Sequence, residues 1–109
     1  MLAVVVAVAP AAAMASTTAY VGGGLLSGTV EACIKDMKAA ADKNGFTESQ
    51  ETIMSDDKKS GSFHANHKDS PMHFTANCAP KAGVWSMGVS GIDNDTTYEM
   101  YGKVWDALP

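Results

Sequence analysis

The chain has 109 residues, a formal net charge of −4 and two cysteines. This length fits one small domain, because domains most often have about 100–150 residues. With 46% hydrophobic and 18% charged residues, the composition is typical of a folded protein and argues against general disorder. The acidic residues are scattered and no basic stripe is present, which argues against nucleic acid as a partner.

Residues 1–15 have the pattern of a signal peptide. Leu2 to Ala13 are apolar, and Ala13-Met14-Ala15 fits the small-x-small rule for a cleavage site. The run is too short for a stable membrane span, which needs about 20 apolar residues. No Lys or Arg precedes the apolar run, which leaves open whether the true start lies upstream of Met1. The alternative to a signal peptide is an N-terminal helix of the domain. We therefore expect a periplasmic or secreted protein.

Export determines how the two cysteines are interpreted. In an oxidising compartment Cys33 and Cys78 are expected to form a disulfide. Such a bond would close the loop from Cys33 to Cys78 and lower the chain entropy of the unfolded state, which for a loop of this length stabilises the fold by about 4 kcal/mol. A redox or metal-binding pair is the alternative, but neither a CxxC spacing nor a neighbouring cysteine supports it.

The segment 16–26 is small, polar and glycine-rich, and we expect it to be a flexible lead-in to a single domain at 27–109. Its glycine run, 22–24, lacks the GK[ST] ending of a phosphate-binding loop. A helix is predicted from Ser27 or Thr29 to about Asn44, where Asn44-Gly45 is a strong stop. Its apolar face has helical spacing and consists of Val30, Cys33, Ile34, Met37 and Ala41.

Four strands are predicted after this helix, at about 46–54, 61–66, 72–78 and 83–90. The clearest is the third, in which apolar and polar residues alternate from Met72 to Cys78. Asp93 or Asp95 is expected to cap a last helix. The apolar stripe of that helix consists of Tyr98, Tyr101, Val104, Trp105 and Leu108.

The element order predicts an α+β fold, α-β-β-β-β-α. Short loops between the strands favour a four-stranded antiparallel meander, with an N-terminal and a C-terminal helix packed on one face. The other face is then small and polar, and we expect it either to face solvent or to contact a partner, a second copy or a ligand. Its predicted members are Ser62, His64, Asn66, His73, Thr75, Asn77, Ser86 and Ser90.

The three histidines, His64, His67 and His73, are the candidate metal ligands. A four-residue loop at 67–70 would pair His64 directly with His73, bringing their Cβ atoms to about 5 Å and allowing the imidazoles to share Cu or Zn. His67 or Asp69 would add a third ligand. A register slipped by two residues would pair His64 with Thr75 instead and break this site. The alternative is that the histidines are incidental, because solvent-facing strand positions tolerate them.

No catalytic residues are predicted, because no GxSxG or comparable nucleophile turn is present. The methionines fall at or beside positions that periodicity already makes apolar, which favours core filling over soft-metal binding. The sequence thus favours an exported, non-catalytic binding or interaction module. Its partner would be an unknown protein or small ligand at the polar sheet face, and its oligomeric state stays open. The alternative is a periplasmic or secreted Cu/Zn-binding protein that uses the histidines; a small hydrolase is a third, unspecified possibility.

Overall fold

The computed structural model describes residues 17–109, so the predicted signal peptide at 1–15 lies outside the described part of the chain. The described part has the order β-α-β-β-β-β-α. The elements are β1 (Thr18–Leu25), α1 (Val30–Lys43), β2 (Glu48–Met54), β3 (Gly61–Asn66), β4 (Met72–Ala79), β5 (Val84–Gly91) and α2 (Asn94–Ala107).

The sheet is antiparallel with the strand order β1-β5-β4-β3-β2, and both helices pack on one of its faces. The predicted α+β class is therefore confirmed, as is the meander from β2 to β5. The number of strands differs, because the sheet has five strands and not four. The additional strand, β1, pairs with β5 along its whole length, from Thr18 opposite Gly91 to Leu25 opposite Val84. The segment predicted as a flexible lead-in is thus an edge strand.

The glycines that suggested flexibility make room for neighbouring groups. A Cβ at Gly22 would lie 2.9 Å from the Trp105 ring, and one at Gly24 would lie 3.0 Å from the Trp85 indole nitrogen. A Cβ at Gly23 would collide with the backbone carbonyl oxygen of Trp85. Close approach of another group is one reason for glycine within a strand. The glycine run therefore reflects packing with β5 and α2.

Helix α1 covers the middle of the sheet, and its five predicted apolar positions are buried. Thr29 caps the helix by accepting a hydrogen bond from the Ala32 N–H at 3.1 Å. The predicted disulfide is confirmed: Cys33 of α1 is bonded to Cys78 of β4, with their Cα atoms 6.1 Å apart. The alternation of β4 is also confirmed, because Met72, Phe74, Ala76 and Cys78 are all buried.

Helix α2 lies over β1 and β5. Asp93 caps it by accepting from the Thr96 N–H at 2.8 Å, and hydrogen bonds from Thr96 lower the pKa of this carboxyl group. The predicted apolar stripe is only partly buried: Val104 is fully covered, but Tyr98 is 62% exposed and Trp105 is 41% exposed. Within residues 17–109, no helix has the length and apolar character required to cross a membrane.

The packing around β1 predicts that the Gly23→Ala variant is destabilised. The added methyl group meets the backbone of β5, which cannot move away as a flexible side chain would. We expect the free energy of unfolding to fall by about 1–3 kcal/mol, as for other overpacked sites. Chemical denaturation of the purified chain measures this change.

Gly28→Ala is the matched control, because a Cβ at Gly28 has no neighbour within 4 Å. We expect this control to be neutral or to stabilise by less than about 1 kcal/mol. Equal effects of the two substitutions would mean that residues 18–25 are not held against β5.

Candidate functional site

The helices leave one face of the sheet uncovered within the described residues, and we call it the open face. Cross-strand partners share a face, and the register joins Ser62 to Asn77 and Asn77 to Ser86 in one row. A second row joins Asn66, His73 and Ser90. Between these two rows, Thr75 lies opposite His64. The predicted membership of this face is therefore confirmed. It consists of Ser62, His64, Asn66, His73, Thr75, Asn77, Ser86 and Ser90.

The centre of the open face carries hydroxyl, amide and imidazole groups. Charge appears only towards the β2 edge, where Glu51 pairs with His64 and Glu48 pairs with Asn66. On the opposite side Val21 of β1 pairs with Gly88 and is 75% exposed. The face therefore has acidic side chains and the exposed Ile53 at its β2 edge, neutral polar groups at its centre and the exposed Val21 at its β1 edge.

The predicted direct pairing of His64 with His73 is wrong. His64 lies opposite Thr75, and His73 lies opposite Asn66. The turn is shifted by one residue, because the His67 N–H donates to the Met72 carbonyl oxygen at 2.9 Å and so extends the ladder. In the predicted register Pro71 would face Asn66, but proline has no N–H to donate to a ladder.

The two imidazoles nevertheless meet on a diagonal, with ring centroids 5.8 Å apart and planes inclined by 25°. His73 Nδ1–H donates to Asn66 Oδ1 at 2.8 Å, which leaves Nε2 unprotonated in the neutral ring. His64 contacts Thr75 Oγ1 through Nδ1 at 3.1 Å and Ser62 Oγ through Nε2 at 3.2 Å. Side chains of the same face thus hold both rings in place.

The stacked pair affects the protonation of His73. Partial burial lowers the pKa of His73, and the neighbouring His64 imidazole lowers it further by charge repulsion. A lowered pKa favours the uncharged imidazole at neutral pH. The His73 position on the open face is then a neutral hydrogen-bonding group and not a cation.

His67 lies elsewhere. Its ring packs edge-on against Phe46 of the core, with centroids 5.1 Å apart, and Nδ1 accepts a hydrogen bond from the Asp69 N–H at 3.1 Å. The structure therefore does not bring His67 to His64 and His73. Within residues 17–109 no three His, Cys, Asp or Glu side chains are grouped closely enough to hold one metal ion.

A concavity on the helix side of the molecule was not indicated by the sequence. It has a volume of about 290 Å³ and lies where the end of β1, the start of α1 and the C-terminal residues meet. Apolar side chains dominate its lining, with Asp36 among the polar groups; they include Leu25, Leu26, Met37, Trp85 and Leu108. Because the lining comes from distant parts of the chain, no local pattern reveals it.

Comparisons of the chain with protein-family models, with curated proteins and with solved structures find no match.

The burial of His73 predicts its titration. We expect its imidazole to titrate below the ordinary histidine value of about 6.5, as measured by NMR of the ring protons. In the His64→Asn variant the pKa of His73 should rise only part of the way towards that value, because burial is the larger cause of the lowering.

Because the folded state resists protonation of His73, this residue destabilises the fold as the pH falls through 6.5 towards its folded pKa. His73→Asn should remove this pH dependence from the free energy of unfolding, as measured by chemical denaturation at several pH values. A pKa of His73 at or above 6.5 in the folded chain would contradict the burial of its ring.

Proposed function

We propose that this chain is a small, exported, non-catalytic interaction module that binds a protein partner through the open face. The observation that carries the proposal is a sheet face that both helices leave uncovered and whose central groups are neutral and polar. The two stacked imidazoles, each in contact with a polar side chain of the same face, add hydrogen-bonding groups to this surface.

The composition of the open face favours a macromolecular partner. Small-molecule sites are mostly apolar, whereas this face carries rows of hydroxyl, amide and imidazole groups. Such groups suit the polar, hydrogen-bonded contacts of non-obligate protein interfaces. The predicted signal peptide supports export, and the disulfide is compatible with an oxidising compartment.

Site-specific cross-linking tests this proposal. A photoreactive residue at Asn77, which is exposed in the middle row, should give one discrete adduct in the exported protein fraction of the native cells. The same residue at Lys35, on the exposed face of α1, is the matched control and should give no such adduct.

Ser86→Arg then provides the specificity test for the same adduct. Ser86 is exposed and lies directly opposite Asn77, so an arginine there places an unpaired charge in the interface. We expect the yield of the Asn77 adduct to fall by about tenfold or more, because the loss of about 1.4 kcal/mol of binding free energy weakens the affinity tenfold. The proposal fails if the adduct survives Ser86→Arg or forms equally well from Lys35.

A second candidate function is Cu or Zn binding, which the proximity of the His64 and His73 rings favours. The His73 Nε2 atom offers a lone pair, and His64 would exchange a hydroxyl contact for the metal. Titration of the purified chain with Cu(II) or Zn(II) should then show binding that both His64→Ala and His73→Ala abolish.

His67→Ala is the control for this titration, because His67 packs against Phe46 away from the pair. It should leave the affinity unchanged. A dissociation constant of about 1 µM or weaker would instead indicate incidental binding by two imidazoles.

A further inference from the structure

The two edges of the sheet differ in how they are protected against pairing with another strand. At the β2 edge the ladder shifts register between Glu48 and Glu51, and Ser49 has a φ of 53°, which makes a bulge. Bulges and charged side chains are devices that keep edge strands from associating. Strand β1 has neither device: its ladder with β5 is unbroken over eight residues, and residues 18–25 carry no charge.

Within residues 17–109, no strand pairs with the outer backbone groups of β1. The Leu26 N–H donates to the Gly83 carbonyl oxygen at 2.8 Å, which sets the phase of the alternation between β1 and β5. In an antiparallel pair, successive residues direct their N–H and C=O groups alternately towards and away from the partner. The groups that point away from β5 therefore belong to Ala19, Val21, Gly23 and Leu25.

Exposed apolar side chains flank this edge on both faces of the sheet. On the open face Val21 is 75% exposed and Leu25 is 90% exposed. On the helix face Tyr98 and Trp105, one stripe of α2, are 62% and 41% exposed. Large exposed apolar patches mark interaction sites in soluble proteins.

The two aromatic side chains of α2 are held in place by their neighbours. The Tyr98 ring lies 5.0 Å from the Tyr20 ring, and the Trp105 ring lies 5.5 Å from the Trp85 ring. Aromatic anchors that are already ordered lose little freedom on binding. Gly102 lies between them on the helix, with open space where its Cβ would be, so another helix can approach closely there.

We propose that a second copy of this chain pairs antiparallel with β1 about a two-fold axis, forming a dimer with a continuous ten-stranded sheet. A two-fold interface brings the same patch of both copies together. Each copy has a net charge of −4, but β1 has no charged residue. Two β1 strands can therefore pair without placing like charges opposite each other.

Side-chain sizes also fit self-pairing. With the axis at Gly22, Val21 lies opposite Gly23 of the second copy, and Ala19 lies opposite Leu25 of the second copy. Each large side chain then meets a small one on the open face. On the helix-covered face, Tyr98 and Trp105 of α2 then lie near the same two residues of the second copy.

Sedimentation equilibrium of the purified exported chain tests the dimer, with Val21→Lys as the disrupting variant. The Val21 side chain points to solvent in one copy, so the variant should fold, and thermal melting checks this. We expect Val21→Lys to raise the dimer dissociation constant by about tenfold or more, because charged edge strands resist pairing and the two-fold axis brings the two added lysines diagonally close to each other.

Ile53→Lys is the matched control, because Ile53 lies on the same face of the opposite edge strand and is 51% exposed. It should leave the dimer unchanged. A wild-type chain that is monomeric at about 100 µM overturns the proposal, since stable dimers have micromolar or lower dissociation constants. Equal weakening by both lysines also overturns it.

Hydrogen exchange provides a second readout that does not depend on a variant. The Val21 and Gly23 amides should be protected only at concentrations where the dimer forms, whereas the Gly22 amide, directed towards β5, is protected at all concentrations. Protection of Val21 and Gly23 in a monomer would mean that another protein or a preceding segment covers the edge, and would overturn the dimer. Ser86→Arg, which tests the open face, should leave dimerisation unchanged.

Discussion

The alternation of side chains along β4 is the constraint on which the rest of the structure depends. Phe74 is fully buried, and its ring lies 5.8 Å from that of Phe46 and 6.2 Å from that of Phe63. Because successive strand residues point to opposite faces, burial of Phe74 forces His73 and Thr75 onto the open face. A slip by one residue would expose the whole apolar set, so the core and the composition of the open face are fixed together.

The Cys33–Cys78 disulfide stabilises the fold in which only one face of the sheet is buried. It joins residues separated by 45 positions, for which the chain-entropy estimate is about 4 kcal/mol. That is a large part of the about 5–15 kcal/mol by which a typical domain is stable. Since Cys78 lies on the core side of β4, the bond also holds α1 on that side. In the described part of the chain, neither helix lies on the opposite face.

The sequence predicted those features that depend on local periodicity. Helix α1 and strand β4 follow from the spacing of apolar residues, and the disulfide follows from the expected export of a chain with two cysteines; the structure contains all three. The membership of the open face was also correct although the hairpin register was not. The reason is that a register change of two residues preserves which face each side chain occupies and changes only its partner. His64 therefore lies on the predicted face, opposite Thr75.

Strand β1 could not be predicted from local signals, because its glycines are explained by residues far away in the chain. Trp85 and Trp105 occupy the space that side chains at Gly24 and Gly22 would need. The same holds for the partial exposure of Tyr98, since helical spacing shows that an aromatic stripe exists but not how far the sheet extends beneath it. Long-range packing decided each of these features.

The positions of the two proposed surfaces have a consequence for binding strength. The open face is polar, and such interfaces often form transient complexes, whereas the β1 edge is apolar on both flanks. Joining two copies through β1 would keep α1 and α2 of both copies on one side of the extended sheet. The two open faces would then lie side by side on the opposite side of the sheet and point in the same direction. Each of them carries one His64–His73 pair. A partner with two copies of its own contact surface would bind such a dimer with avidity, because the second contact becomes intramolecular. Weak polar contacts on each open face would then be sufficient for stable association.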